Sequence, residues 1–201
     1  MESTATVTKT QRIAGVGIFA AIIIILQVFA TVINFITPGT IPIALILPPL
    51  VIGAAMYGIK AGMFLGFCFA CVVLGSGITG VAPTSALMWG ISPVIMIVGT
   101  LGRGIAAGAV AGLMYKLFSK WDQYFGVLSA AILTPIVNTG IFIIMLFLFF
   151  DVLAVEGAGQ TILQRATAIM VSFNFLLEVL VNVILAPTIV RIITLAKKPS
   201  A

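Results

Sequence analysis

Long apolar segments alternate with short stretches rich in Gly, Pro and polar residues along nearly the whole chain. An α-helix that crosses the ~30 Å hydrocarbon core of a bilayer needs about 20 apolar residues. Six segments approach or exceed that length, although the second and third hold only about 18 residues each. We therefore predict one transmembrane domain over residues 1–201, an all-α bundle of six membrane-spanning helices at residues 12–36, 41–58, 61–78, 92–118, 124–150 and 163–195.

The composition also indicates a membrane protein. Of the 201 residues, 62% are hydrophobic and only 7% are charged, and the mean hydropathy is +1.31. A water-soluble domain carries far more charge on its surface, so an integral membrane protein is predicted. The net charge of +5 does not indicate nucleic-acid binding, because the basic residues lie between apolar segments, where they report topology.

The positions of the basic residues predict the orientation in the membrane. Only Arg165, near an outer end, and Arg103, within a span, would lie away from the cytoplasm if the N-terminus is cytoplasmic. The other eight of the ten would all lie inside: Lys9, Arg12, Lys60, Lys116, Lys120, Arg191, Lys197 and Lys198. This positive-inside pattern predicts that both termini are cytoplasmic.

The predicted outer connections differ in composition from the inner ones. Residues 37–42, 75–90 and 151–160 are rich in Gly, Pro, Ser and Thr. Long loops gathered on one face commonly carry binding sites, so these three are expected to form a cap over a solute. The alternative is that they only connect helices.

One charge lies in the middle of an apolar segment. Arg103 falls about ten residues into the fourth segment, near the bilayer midplane. An arginine there costs ~2.5–3.5 kcal/mol on insertion scales, and such residues usually face the protein interior and mark a site. In the sixth segment Asn174, Glu178 and Asn182 recur at four-residue spacing, which places them on one face of an otherwise apolar helix.

More polar groups are expected at the same depth. The fifth segment carries Asn138 just after Thr134 and Pro135, and the first carries Gln27 and Asn34 in its outer half. One arginine, one carboxylate and several amides suit a small polar solute with a carboxylate of its own. Two alternatives stay open: an Arg103–Glu178 pair that only fixes helix packing, and interhelical hydrogen bonds of the amides without a ligand. The predicted substrate-binding residues are Arg103, Asn138, Asn174, Glu178, Asn182, Gln27 and Asn34.

Two stripes of small residues allow close helix approach. Each packs the bundle internally or faces outward to dock another membrane subunit, and the sequence favours neither. The first segment has Ala14, Gly17 and Ala21, and the fourth has Gly104, Gly108 and Gly112.

No catalytic or metal site is predicted. The sequence has no histidine, and its two cysteines, Cys68 and Cys71, lie inside an apolar segment without a second pair of ligands, so thiols facing lipid or the bundle are favoured. Residues 53–60 have the glycine spacing of a phosphate loop but lack its Gly-Lys-Ser/Thr ending. We expect no cofactor and no enzymatic activity, and any energy from ATP must come from outside this chain.

Four sequence blocks together resemble the substrate-binding S-components of energy-coupling factor (ECF) vitamin transporters, over nearly the full length of the chain. These blocks are RIAGVGIFAAIIIIL at the start, PPLVIGAAMYGIKAGMFLGF in the second and third segments, LGRGIAAGAVAG in the fourth and NVILAPTIVRII at the end. The resemblance implies a multi-pass subunit of a bacterial or archaeal cell membrane that captures a vitamin with high affinity from outside, beneath loops that act as a lid.

The resemblance also implies partners: a transmembrane coupling subunit and two cytoplasmic ATPase subunits, with the chain toppling in the bilayer to release its solute. It assigns docking of the coupling subunit to the small face of the first helix, at Gly17 and Ala21 beside Ala14. The loop GSGITGVAPTSALMWGISPVIMI is most similar to the pantothenate branch, while folate, biotin and niacin share the carboxylate that suits Arg103. The alternative from another class is a stand-alone secondary carrier or channel for a polar solute.

Overall fold

The computed structural model describes residues 9–36, 46–147 and 173–196, and every regular element within these ranges is an α-helix. The seven helices are α1 (Lys9–Ile36), α2 (Leu47–Tyr57), α3 (Ile59–Ile78), α4 (Pro83–Ile91), α5 (Pro93–Phe118), α6 (Gln123–Phe147) and α7 (Phe173–Ala196).

Five of these helices, namely α1, α3, α5, α6 and α7, are long and apolar enough to cross a bilayer. Helix α2 has 11 residues and a length of ~16 Å at 1.5 Å per residue, which is too short to cross. It begins where Pro48 and Pro49 occupy the first turn, the part of a helix that tolerates proline. The six-span prediction is therefore represented by five spans and one shorter helix among the described residues.

The connection predicted at residues 75–90 is partly helical. Helix α3 continues to Ile78, and α4 follows after a short turn. Proline sets both ends of α4: Pro83 opens its first turn, and Ser92, which precedes Pro93, is extended with φ of −153°. A residue before proline is driven out of the helical region, so α4 and α5 stay separate. The other two predicted outer connections, residues 37–42 and 151–160, lie outside the described residues.

Helices α3 and α5 are antiparallel and pack with backbone against backbone. A Cβ added to Gly108 would fall on the carbonyl oxygen of Gly62, and one added to Gly66 would fall on that of Gly104. Such close approach is open only to residues without a side chain. This contact fixes the centre of the bundle, around which the other helices are arranged.

Hydrogen bonds between helix ends show which ends lie together. Arg12, near the start of α1, donates to the carbonyl of Tyr57 at the end of α2. Gln123, at the start of α6, donates to the carbonyl of Val190 at 3.3 Å and to the hydroxyl of Thr194 at 3.2 Å, near the end of α7. In each of these two pairs the helices therefore run in opposite directions.

One end of the bundle, which we call the basic end, carries the starts of α1, α3 and α6 and the ends of α2, α5 and α7. Its basic side chains agree with the clustering that the sequence predicts. Their cytoplasmic location stays a prediction, and Arg165, Lys197 and Lys198 lie outside the described residues. The described basic residues of this end are Lys9, Arg12, Lys60, Lys116, Lys120 and Arg191.

Candidate functional site

A cavity of about 230 Å³ lies in the half of the bundle away from the basic end. All seven helices contribute to its wall. The volume is somewhat below the ~300–1,000 Å³ that is common for ligand pockets, so the cavity suits a small solute. Its polar lining residues are Gln27, Thr31, Ser76, Ser85, Arg103, Asn138 and Glu178.

Arg103 reaches this cavity from the middle of α5. Its guanidinium carbon lies 4.9 Å from the ring centre of Phe142 and 5.8 Å from that of Phe69. Aromatic faces attract a guanidinium at these distances and hold it in place without accepting its N–H groups in hydrogen bonds. Nε of Arg103 is buried and has no hydrogen-bond partner among the described residues. The two rings thus hold the arginine in position, and the N–H of its Nε remains available to a ligand.

Glu178 of α7 lines the same cavity, and its charge interacts with that of Arg103. Within the part of the chain that the structure describes, no salt bridge or hydrogen bond joins the two side chains. The packing alternative requires a direct contact between Arg103 and Glu178, and the described residues do not show one. The cavity instead presents one cationic and one acidic group to the same space.

The amides of α6 and α7 lie at two depths. Asn138 is buried, lines the cavity and has no hydrogen-bond partner for its Oδ1. Asn182 lies one turn deeper than Glu178, is not part of the cavity wall, and donates from Nδ2 to the backbone carbonyl of Glu178 at 2.7 Å. Its Oδ1 and the hydroxyl of Thr134 are also buried without a partner. Buried polar groups therefore continue beyond the cavity wall, toward the basic end of the bundle.

The remaining predicted residues come from the first segment and the start of α7. Gln27 lines the cavity, and its Nε2 donates to the hydroxyl of Thr31 at 3.3 Å. The side chains of Asn34 and Asn174 lie outside the described part of the chain, so their roles stay predictions. The structure thus brings four predicted residues to one cavity: Gln27, Arg103, Asn138 and Glu178.

Sequence reasoning missed the hydroxyl residues of the wall and the two phenylalanines beside Arg103, of which Phe69 lines the cavity and Phe142 does not. Phe69 and Phe142 lie in runs of apolar residues, where nothing distinguishes them from phenylalanines that face lipid. Ser85 was missed because α4 was treated as a loop. Helix α4 is held by Met88, which packs with Met96 and Met145 in a buried cluster that Phe142 also contacts.

The two stripes of small residues have opposite orientations. The glycines of α5 are buried against α3, as described above. On α1, by contrast, Ala14, Gly17 and Ala21 are all exposed, and no atom lies within 4 Å of a Cβ placed at Gly17. One stripe therefore packs the bundle internally, and the other faces outward.

Two comparisons with known proteins support a role in binding and transport of a solute, in agreement with the polar cavity. The family model described as ECF transporter, substrate-specific component, matches residues 11–190. A pantothenic acid transporter, PanT, of Lactococcus lactis subsp. cremoris strain MG1363 is 27% identical over 205 residues, covering 96% of this chain and 98% of the relative. No solved structure matches the chain.

Proposed function

The chain belongs to the family of substrate-specific components of ECF transporters, and from that membership we propose that it captures pantothenate for import. The family and the five long apolar helices make it a multi-pass membrane protein and the substrate-binding subunit of a vitamin transporter. The choice of pantothenate is supported by the relative named as a pantothenic acid transporter. The observation that carries the proposal is the buried, incompletely bonded guanidinium of Arg103 at the cavity.

Pantothenate has groups that match this lining. Its carboxylate would bind Arg103 in a charge-assisted hydrogen bond, which is about twice as strong as a neutral one. Its hydroxyls would donate to Glu178, and its amide would meet Asn138 or Gln27. Each ligand group then has a partner of the opposite hydrogen-bonding type.

Other vitamins with a carboxylate satisfy only part of this lining. The carboxylates of biotin, niacin and folate would each bind Arg103. Niacin, however, has no hydroxyl to donate to Glu178, and folate is much larger than pantothenate and fits poorly in a cavity of about 230 Å³. A ligand that carries both a carboxylate and hydroxyl donors uses both charges of the cavity. This is why pantothenate is favoured over niacin and folate; it is favoured over biotin, whose ureido N–H groups could donate to Glu178, because of the pantothenic acid transporter among the relatives.

Binding to the purified protein tests the proposal. Calorimetry with pantothenate, biotin, niacin, folate, thiamine and riboflavin is expected to show tight binding of pantothenate alone, with Kd of about 1 µM or lower and no need for ATP. Tight binding of another vitamin would replace the proposed substrate. Uptake into vesicles driven by an ion gradient, with this chain as the sole protein, would instead support a stand-alone carrier.

Transport is proposed to need a transmembrane coupling subunit and two cytoplasmic ATPase subunits. The description of the family as a substrate-specific component supports the existence of partners in general. We assign docking of the coupling subunit to Ala14, Gly17 and Ala21. The support is that this stripe is exposed on α1, while the similar stripe on α5 is already occupied by α3. Small residues on an unoccupied face let a second helix approach closely.

Gly17→Leu is expected to separate capture from transport. Among the described residues no atom lies within 4 Å of a Cβ at Gly17, and this position faces away from the cavity, so pantothenate affinity should change by no more than about twofold. It would hold a docking helix away, so co-purification with the partner subunits and ATP-driven uptake should fall by roughly tenfold or more. Ile184→Phe enlarges an exposed side chain on α7 and is the matched control. Normal uptake by Gly17→Leu would exclude this docking face.

A further inference from the structure

A second cavity, of about 450 Å³, lies at the basic end of the bundle. Its wall is formed by the end of α2, the start of α3, the end of α5 and Arg12 of α1. Two cationic side chains, Arg12 and Lys116, line it together with the hydroxyl-bearing Tyr57, Tyr115 and Ser119. None of its lining residues is acidic. The cavity therefore has a positive potential that nothing in its own wall neutralises.

The backbone of the wall adds to this potential. Helix α3 begins directly after Gly58, and no side chain caps it. The first N–H groups of a helix have no partner within the helix, and the helix dipole makes that end positive. Ile59, the first residue of α3, is part of the cavity wall. Uncapped N–H groups and two cations together suit an anion with several acceptor oxygens.

Arg12 is held at the edge of this cavity. Its Nη2 donates to the carbonyl of Tyr57, which leaves the other N–H groups of the guanidinium for a ligand. The ring of Tyr57 is itself fixed, because it lies against Gly15 and edge-on to Phe19, with ring centres 6.2 Å apart. The cation is therefore positioned before any ligand arrives.

The position of the cavity indicates the source of the anion. It lies at the ends of helices that are long and apolar enough to cross a bilayer, which would place it near the lipid headgroups. Next to Arg12 and Lys116, the side chains of Ile13 and Leu117 are 66% and 48% exposed, which gives acyl chains an apolar surface beside the cations. Basic pockets between helices at the cytoplasmic surface are typical binding sites for anionic headgroups.

We propose that this basic cavity binds the phosphate headgroup of an anionic phospholipid, with Arg12 and Lys116 as its cationic ligands. The site is separate from the vitamin cavity and does not depend on which solute the protein binds. The bound lipid would fix the ends of α1, α2, α3 and α5 relative to one another.

Native mass spectrometry of the intact protein with added phosphatidylglycerol or phosphatidylcholine tests the site. We expect wild type to retain phosphatidylglycerol preferentially. Loss of a cation that contacts the bound phosphate should weaken binding about fivefold, so Arg12→Gln with Lys116→Gln should weaken phosphatidylglycerol binding about 25-fold. The matched control is Lys60→Gln with Lys120→Gln, which removes two exposed charges from the same end but none from the cavity wall, and should change binding less than twofold.

Several results would overturn the proposal. Equal losses in the two double variants would show a diffuse charge effect in place of a site. Displacement of phosphatidylglycerol by an excess of inorganic phosphate would show a site for free phosphate. Unchanged lipid binding with lost assembly of the partner subunits would assign the cavity to an acidic segment of a partner. Thermal unfolding in detergent checks that each variant is folded. If the double variant does not fold, Lys116→Gln alone is tested, with an expected loss of phosphatidylglycerol binding of about fivefold.

Discussion

Arg103→Gln is expected to weaken pantothenate binding by ~1.5–3 kcal/mol, which is a loss of roughly 10- to 150-fold. The guanidinium lies between Phe69 and Phe142, and its Nε has no partner. Glutamine keeps a hydrogen-bond donor but removes the charge, so a ligand carboxylate would be buried without a counterion. Calorimetry on the purified variant measures the change in affinity directly.

The ligand itself provides a second test of this contact. Pantothenol has a hydroxyl in place of the carboxylate of pantothenate, so Arg103→Gln should change its affinity much less. Arg191→Gln removes an exposed cation of α7 far from the cavity and should leave both affinities unchanged. Equal losses for pantothenate and pantothenol would show that Arg103 shapes the cavity and does not bind the carboxylate.

The packing alternative gives a different pattern of results. If Arg103 and Glu178 mainly stabilise each other, each single substitution would lower the melting temperature without ligand, and the double substitution Arg103→Gln with Glu178→Gln would recover much of the loss. If both bind ligand, their single substitutions would weaken binding with a small change in melting temperature. The double-mutant cycle therefore separates coupling within the protein from coupling to the solute.

Gly108→Ala is expected to lower the stability of the folded bundle by ~2–3 kcal/mol. The added methyl group would fall on the carbonyl oxygen of Gly62 and close to the backbone of Met63, and neither can move away without displacing α3. Overpacking of this kind costs about 1–3 kcal/mol, with larger values where backbone is involved. Thermal unfolding of the purified protein in detergent is the measurement.

Gly102→Ala is the matched control for this prediction. It lies in the same helix, and no atom lies within 4 Å of its added Cβ. Alanine favours a helix over glycine by up to ~1 kcal/mol, so this variant should unfold at the same temperature as wild type or higher. Equal destabilisation by both substitutions would mean that α3 and α5 do not pack through their glycines.

Much of the fold follows from the sequence because the bilayer imposes simple rules. The lengths of the apolar segments predict helices that cross the membrane, and the family match and five apolar helices agree with this. Prolines mark helix starts, as Pro93 does for α5. The basic residues predict that one end of the bundle differs from the other, and the described ones lie together there.

The candidate site was predictable only in part. An arginine in the middle of an apolar segment must face the interior, so Arg103 could be identified without a structure. Four-residue spacing places Glu178 and Asn182 on one face of a helix but does not show where a cavity ends, and only Glu178 reaches it. Phe69 and Phe142 could not be found, because an aromatic ring beside a guanidinium and one facing lipid have the same sequence signal.

By itself, therefore, the sequence determined the all-helical membrane class, the five long apolar helices and the buried charge, because each follows from the cost of placing polar groups in lipid. The tertiary structure alone decided which neighbour each surface meets. The small stripes of α1 and α5 are similar, yet Gly108 is in contact with Gly62, while among the described residues no atom lies within 4 Å of a Cβ placed at Gly17. A stripe of small residues specifies that a backbone can come close, but only the packing of the other helices determines which backbone does.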